Sequence, residues 1–195
     1  CAKVTAHVPG LPGWGAVAAI EPSPFDAAAA YLVVDAHRLD DPRPHLWKTT
    51  DHGRTWRSLS AALPKGVYLH AVREDPKRKG LLYLGTERGV SYSPDDGATW
   101  KELKLNLPTV AVHDLVVKGD DLVVGTHGRS IWILDDLTAL REWSPDVESK
   151  AAHLFTARPA VRWRYDGPVS SQAKNVGQNP PAGAVFHYWL KSEPR

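Results

Sequence analysis

Two octapeptides constrain this chain more than any other feature. TTDHGRTW at Thr49 to Trp56 and SPDDGATW at Ser93 to Trp100 share the skeleton Ser/Thr-x-Asp-x-Gly-x-Thr-Trp. Asp51 and Asp95 stand 44 positions apart, as do Trp56 and Trp100, which matches one four-stranded propeller blade of about 40 to 45 residues. The flanks repeat as well. AAIEPSPFD and AYLVVDA precede the first octamer, and HAVREDPKRKG and LLYLGTE precede the second, each giving strand, proline-containing turn, strand. The expected fold is all-β, built of four-stranded antiparallel blades.

The octamer is a turn with an internal lock. Asp51 and Asp95 are suited to accept bonds from backbone N–H groups a few residues on, and Gly53 and Gly97 give the backbone freedom of a tight reversal. Thr55 and Thr99 return the chain to a strand. Trp56 and Trp100 then bury aromatic faces between neighbouring sheets. A third copy follows in VHDLVVKGDDLVVGTHGRSIWILDDL, whose octamer has decayed: Leu134, Asp135 and Asp136 stand where the Asp and its neighbours belong, and no Gly-x-Thr-Trp follows.

These octamers resemble Asp boxes, the bacterial neuraminidase repeats of sialidases, xyloglucan-degrading hydrolases and sortilin-type receptors. EPSPFDAAAAYLVVDAHRLDDPRPHLWKTTDHGRTW and DLVVGTHGRSIWILDDLTALRE resemble the last blades of large bacterial sortilin-like propeller proteins, a group often labelled glycosyl hydrolases. Three blades are expected, over 14–64, 65–108 and 109–143, the propeller part occupying 1–143. Three cannot close a ring, since propellers hold about four to eight, so the chain is expected to be the C-terminal part of a larger protein with its remaining blades elsewhere. A linker follows at 144–178. Within it Phe155, Trp163 and Tyr165, with Arg158, Arg162 and Arg164, form a patch able to pack on the propeller. At 179–195, AVFHYWLKSEP reads as a strand with Val185, His187 and Trp189 on one face and Phe186, Tyr188 and Leu190 on the other. The resemblance makes it the truncated start of a β-sandwich domain, and a lone strand is poorly ordered by itself.

Composition excludes several functions. A formal charge of +2 over 195 residues, with acids and bases interleaved, leaves no nucleic-acid footprint, and no run of about 18 apolar residues offers a membrane span. There is no methionine and one cysteine, so no internal disulfide forms. Cys1 is either a cut site or the lipid-bearing first residue of a mature lipoprotein.

The resemblance places the boxes on the outer rim, between third and fourth strands, and the functional face at the opposite loops. That directs attention to Arg38, Asp40 and Asp41 in the first blade, Glu87 and Arg88 in the second, and His127 and Arg129 in the third. His70 and His113 occupy matching positions at the innermost strands. A glycoside hydrolase needs two carboxylates about 5 to 5.5 Å apart for retention, or about 6.5 to 9.5 Å for inversion. The candidates are Asp40, Asp41, Glu87 and Asp114. Each has a plainer account: Asp40 and Asp41 suit a polar turn before proline, and Glu87 with Arg88 suits a hairpin turn with solvated charges. His70 lies on the second blade and His113 and His127 on the third, without metal-ligand spacing, so no metal and no cofactor is expected.

Three functions compete. One is an extracytoplasmic module binding a peptide or carbohydrate through its loop face. A second is a xyloglucanase-like hydrolase, and a third is a non-catalytic assembly scaffold. Export is implied by the resemblance alone.

Overall fold

The computed structural model describes residues 3–161 and 183–193; Cys1, Arg162, Trp163, Arg164 and Tyr165 lie outside them. The chain divides into two compact units, Cys1–Leu134 and Asp135–Arg195.

The first unit holds three antiparallel meanders. Sheet 1 runs β1 (Ala16–Pro22), β2 (Ala30–Asp35), β3 (Leu46–Thr49) and β4 (Arg57–Ser58), hydrogen-bonded in that order. Sheet 2 repeats it with β5 (Leu69–Glu74), β6 (Leu82–Thr86), β7 (Gly89–Ser93) and β8 (Lys101–Glu102). Sheet 3 has β9 (Val112–Lys118), β10 (Asp121–Thr126) and β11 (Ile131–Leu134). The first strands lie side by side, β1 against β5 and β5 against β9. Meanders of this order, stacked with their first strands together, are propeller blades.

Apolar side chains from both faces fill the space between sheets 1 and 2. Tyr31, Val33 and Leu46 meet Leu69, Val72, Leu82 and Leu84, all nearly inaccessible, with Trp100 packed alongside. Burying each such aliphatic side chain is worth about 1.5–3 kcal/mol. Sheet 1 leaves Val17 and Ile20 exposed by 58% and 62% at the register positions where sheet 2 buries Leu69 and Val72. Its other covered side packs Leu32, Val34 and Trp47 with Val8, and Trp56 leans on that cluster.

Both octamers adopt one geometry. The Thr49 hydroxyl donates to Asp51 Oδ1 at 2.9 Å and accepts from the Gly53 N–H at 2.9 Å, while Asp51 accepts from the Thr55 N–H at 2.9 Å and hydroxyl at 2.6 Å. The bonds of Ser93, Asp95, Gly97 and Thr99 measure 2.8, 2.8, 2.8 and 2.6 Å in the same order. Each octamer joins third and fourth strands, and its glycine takes a positive φ, 81° at Gly53 and 83° at Gly97. These carboxylates each satisfy donors that a tight turn would otherwise leave open.

Sheet 3 differs from the expected four-stranded blade. Among the described residues it has three strands, and the residues after β11 do not rebuild the octamer: Asp136 takes a positive φ of 62° and accepts from the Thr138 N–H at 3.0 Å, and a helix follows.

In the second unit, α1 (Thr138–Glu142) leads to α2 (Pro145–Ser149), whose start is capped by the Ser144 hydroxyl accepting from Val147 N–H and by Pro145 in the first turn. Within the expected linker the described residues thus contain one short helix, α2, and a strand, β12 (Ala152–Leu154), which pairs antiparallel with β13 (Tyr188–Leu190), while α1 lies at the end of the expected third blade. The terminal strand is therefore not alone. Trp143 stacks at 6.2 Å from Phe155 and meets Trp189 edge-on at 4.9 Å, an aromatic cluster that holds this hairpin against Trp143. No described helix is long and apolar enough to cross a membrane.

Candidate functional site

Each innermost strand carries a bulge. Pairing of β1 with β2 skips Ala18, pairing of β5 with β6 skips His70, and pairing of β9 with β10 skips His113. A bulge inserts one residue and re-aims its side chain. In all three sheets the bulged residue faces the same open cleft of about 600 Å³.

Two further equivalent positions line that cleft. The residue just ahead of the bulged pair is Ala16, Tyr68 or Ala111, and the residue at the end of the second strand is Asp35 in sheet 1 and the first residue past the strand, Glu87 or His127, in sheets 2 and 3. Backbone bonds fix the last two pairs alike: Glu87 N–H to Tyr68 O at 3.2 Å and His127 N–H to Ala111 O at 2.8 Å. The longer β2–β3 connection adds His37, Arg38 and Leu39, and Trp14, 96% exposed, stands at the entry to β1.

The rings form a row. His37 stacks on Tyr68 with centroids 4.4 Å apart, Tyr68 meets His70 edge-on at 5.2 Å, His70 lies 4.3 Å from His113, and His113 lies 4.8 Å from His127. Two carboxylates flank it. Asp35 Oδ1 is 2.7 Å from His37 Nδ1 and accepts from the His37 N–H at 2.9 Å. Glu87 Oε2 lies 3.4 Å from His70 Nε2. Glu87 is also the main reason the Tyr68 phenol pKa is pushed up to about 12. Burial holds the His70 imidazole below its ordinary pKa, against the opposing pull of Glu87. Among the described residues, no group of three or more His, Cys, Asp or Glu side chains is placed to hold a metal ion.

Of the residues singled out in sequence, Arg38, His70, Glu87, His113 and His127 come together in this cleft, whereas Asp40, Asp41, Arg88, Asp114 and Arg129 are not part of its lining. Asp40 ends the turn His37–Leu39 with a φ of 60° and is exposed. Asp41 is gripped by Arg43 through two bonds of 2.7 Å and touched by His45 Nε2 at 3.0 Å, and the guanidinium holds its carboxyl far below the usual range. Asp114 accepts from Arg73 at 2.8 Å, and the same guanidinium reaches Glu21 at 3.3 Å, tying the three innermost strands together. Arg88 and Arg129 are exposed on hairpin connections.

Sequence reasoning missed Asp35, His37 and Tyr68. The available signal was the register: Asp35 ends the second strand of sheet 1, and Glu87 and His127 directly follow the second strands of sheets 2 and 3, so finding one locates the others.

No protein-family model matches the chain, and neither does any curated protein sequence. Among solved structures, a GH74 enzyme from Niastella koreensis matches with 20% identity and a TM-score of 0.48 over 62% of this chain and 21% of that one. The GH74 xyloglucanase from Xanthomonas campestris matches with 20% identity and a TM-score of 0.48 over 72% and 25%. YCF48, solved with D1 peptide, matches with 16% identity and a TM-score of 0.42 over 62% and 37%. The chain therefore spans well under half the length of each.

Proposed function

We propose that this chain is part of an extracytoplasmic, sortilin-like propeller module, its octamers being Asp boxes, and that its loop face binds a peptide or a glycan. The remaining blades belong to the parent propeller and cover the exposed Val17 and Ile20. The observation that carries the reading is convergence: three sheets spend equivalent, bulged positions on one open cleft and line it with a row of five aromatic and imidazole rings. Rings of this kind offer flat faces and polar edges in one side chain, the usual equipment of a specificity pocket.

One observation favours hydrolysis as the second reading. Asp35 and Glu87 both line the cleft, and a glycoside hydrolase works with a carboxylate pair. Both are engaged by a histidine, however, which suits fixed hydrogen-bond acceptors better than an acid that must donate its proton.

Calorimetric titration of the protein with a panel of oligosaccharides and peptides tests the proposal. Saturable binding to one of them, lost in Tyr68→Ala without change in the circular dichroism spectrum, is the expected result. Absence of saturable binding across the panel leaves the scaffold account.

A further inference from the structure

Charge within the cleft is unevenly shared among the three sheets. At the equivalent position at the end of the second strand or just past it, sheets 1 and 2 place a carboxylate, Asp35 and Glu87, and each carboxylate is met by a histidine, His37 and His70. Sheet 3 places His127 there, beside His113 at the bulge, with ring centroids 4.8 Å apart. Both rings are exposed. Sheet 3 thus supplies two imidazoles and no acid where its neighbours supply an acid–imidazole pair. Among the described residues neither histidine has an acidic partner, and Arg38, a third basic group of the cleft, has none either.

The backbone discriminates between ligand types. An extended peptide that binds by strand addition needs an uninterrupted edge. All three strands bordering the cleft are bulged at the residue facing it, Ala18, His70 and His113, and a bulge breaks the ladder locally. Recognition here falls to side chains, and the ring row offers them as flat faces.

We infer that the cleft takes an acidic glycan, one bearing uronic acid residues, whose carboxylate sits on His113 and His127 and completes on sheet 3 the acid–imidazole pairing already present on sheets 1 and 2. This rests on the glycan form of the binding reading above. A charge-assisted hydrogen bond requires the protonated imidazole, so affinity rises as pH falls. The groups facing the pair are His70 and Glu87 from sheet 2 and Asp35, His37 and Arg38 from sheet 1. The carboxylates among them are already met by His37 and His70, so the unpartnered His113 and His127 set the direction of the change. Asp114, next to His113 in β9, is engaged by Arg73 instead.

The test is calorimetric titration of the protein with an oligogalacturonate, the neutral oligogalactose of equal length and a glutamate-rich peptide, at about pH 5.5 and about pH 7.5. The expected result is preference for the oligogalacturonate by about tenfold or more, larger at the lower pH. The double variant His113→Gln/His127→Gln, two exposed side chains, should lose that preference while its circular dichroism spectrum stays unchanged; the single variant Arg38→Gln should reduce affinity yet keep the pH dependence. Equal affinity for the neutral oligosaccharide, or undiminished acidic preference in the double variant, overturns the inference and leaves cleft binding standing. Preference for the peptide overturns the inference alone. No binding of any of the three, extended to no binding across the wider panel, overturns the underlying reading as well.

Discussion

The Tyr31 hydroxyl donates to Asp96 Oδ1 at 2.7 Å, from the second strand of sheet 1 to the octamer of sheet 2. Lys48 Nζ reaches both oxygens of the same carboxylate, at 2.8 and 2.6 Å, and lies 5.1 Å from the centre of the Tyr31 ring. Burial and Asp96 together push the Tyr31 phenol pKa well above its ordinary value. The residue between the repeated Asp and Gly of the second octamer therefore joins one blade to the next. Asp96→Ala strips the partner from a largely buried ammonium and from a phenol, and should cost about 2 kcal/mol, read as a lower urea midpoint. Asp96→Asn keeps an acceptor for Tyr31 and should cost less.

Gly85 tests how tightly sheet 3 seats on sheet 2. A Cβ there would lie 2.6 Å from the Val112 carbonyl oxygen. Backbone cannot yield as a side chain does, so Gly85→Ala should cost roughly 2–3 kcal/mol as overpacking. At Gly119 nothing lies within 4 Å and only a φ of 63° opposes the change, so Gly119→Ala should cost about 1 kcal/mol. A cost at Gly119 equal to that at Gly85, by thermal melting, would contradict the close approach.

Acid stability should report the octamer. Bonds from the Thr55 hydroxyl and amide hold the Asp51 carboxyl at a pKa of about 2, below the ordinary value near 3.9. The unfolded chain then binds more protons, so this contribution is fully present above about pH 4 and is lost as pH falls toward 2. Asp51→Asn should be less stable at neutral pH and should lose less on acidification, by chemical denaturation at several pH values.

Tyr68 carries a spectroscopic signature of the cleft. The Glu87 carboxylate beside it is the first reason its phenol pKa is pushed up to about 12. Replacing that carboxylate by an amide in Glu87→Gln should return the titration toward the ordinary value near 10, visible in the ultraviolet absorbance of the phenolate. An unchanged titration would mean that the two side chains do not meet.

The blades were legible because their punctuation is local. Asp51, Gly53, Thr55 and Trp56 act within eight residues, and their copies at Asp95, Gly97, Thr99 and Trp100 recur at a fixed interval. The inter-blade connectors carried a weaker repeat that was passed over: VTAHVP, LSAALP and LKLNLP each place two aliphatic residues four apart before a proline. In the structure Val4 lies 3.4 Å and Leu59 2.8 Å from where a Cβ would stand on Gly53 and Gly97. The site was only half legible. His70 and Glu87 lie 17 positions apart in sequence, yet Asp35, the counterpart of Glu87, precedes a longer connection than the one in sheet 2. Loop length hid the equivalence, while strand register restores it. Asp41 drew attention as a loop acid, and only its coordinates place Arg43 and His45 on it.

The central claim, that the cleft binds and does not hydrolyse, is tested most directly by measuring binding and reducing-sugar release together on one polysaccharide panel, with Glu87→Gln beside the unaltered protein. The account predicts saturable binding that weakens in Glu87→Gln, with no sugar released by either. Release by the unaltered protein that Glu87→Gln abolishes would contradict it and make Glu87 a catalytic acid.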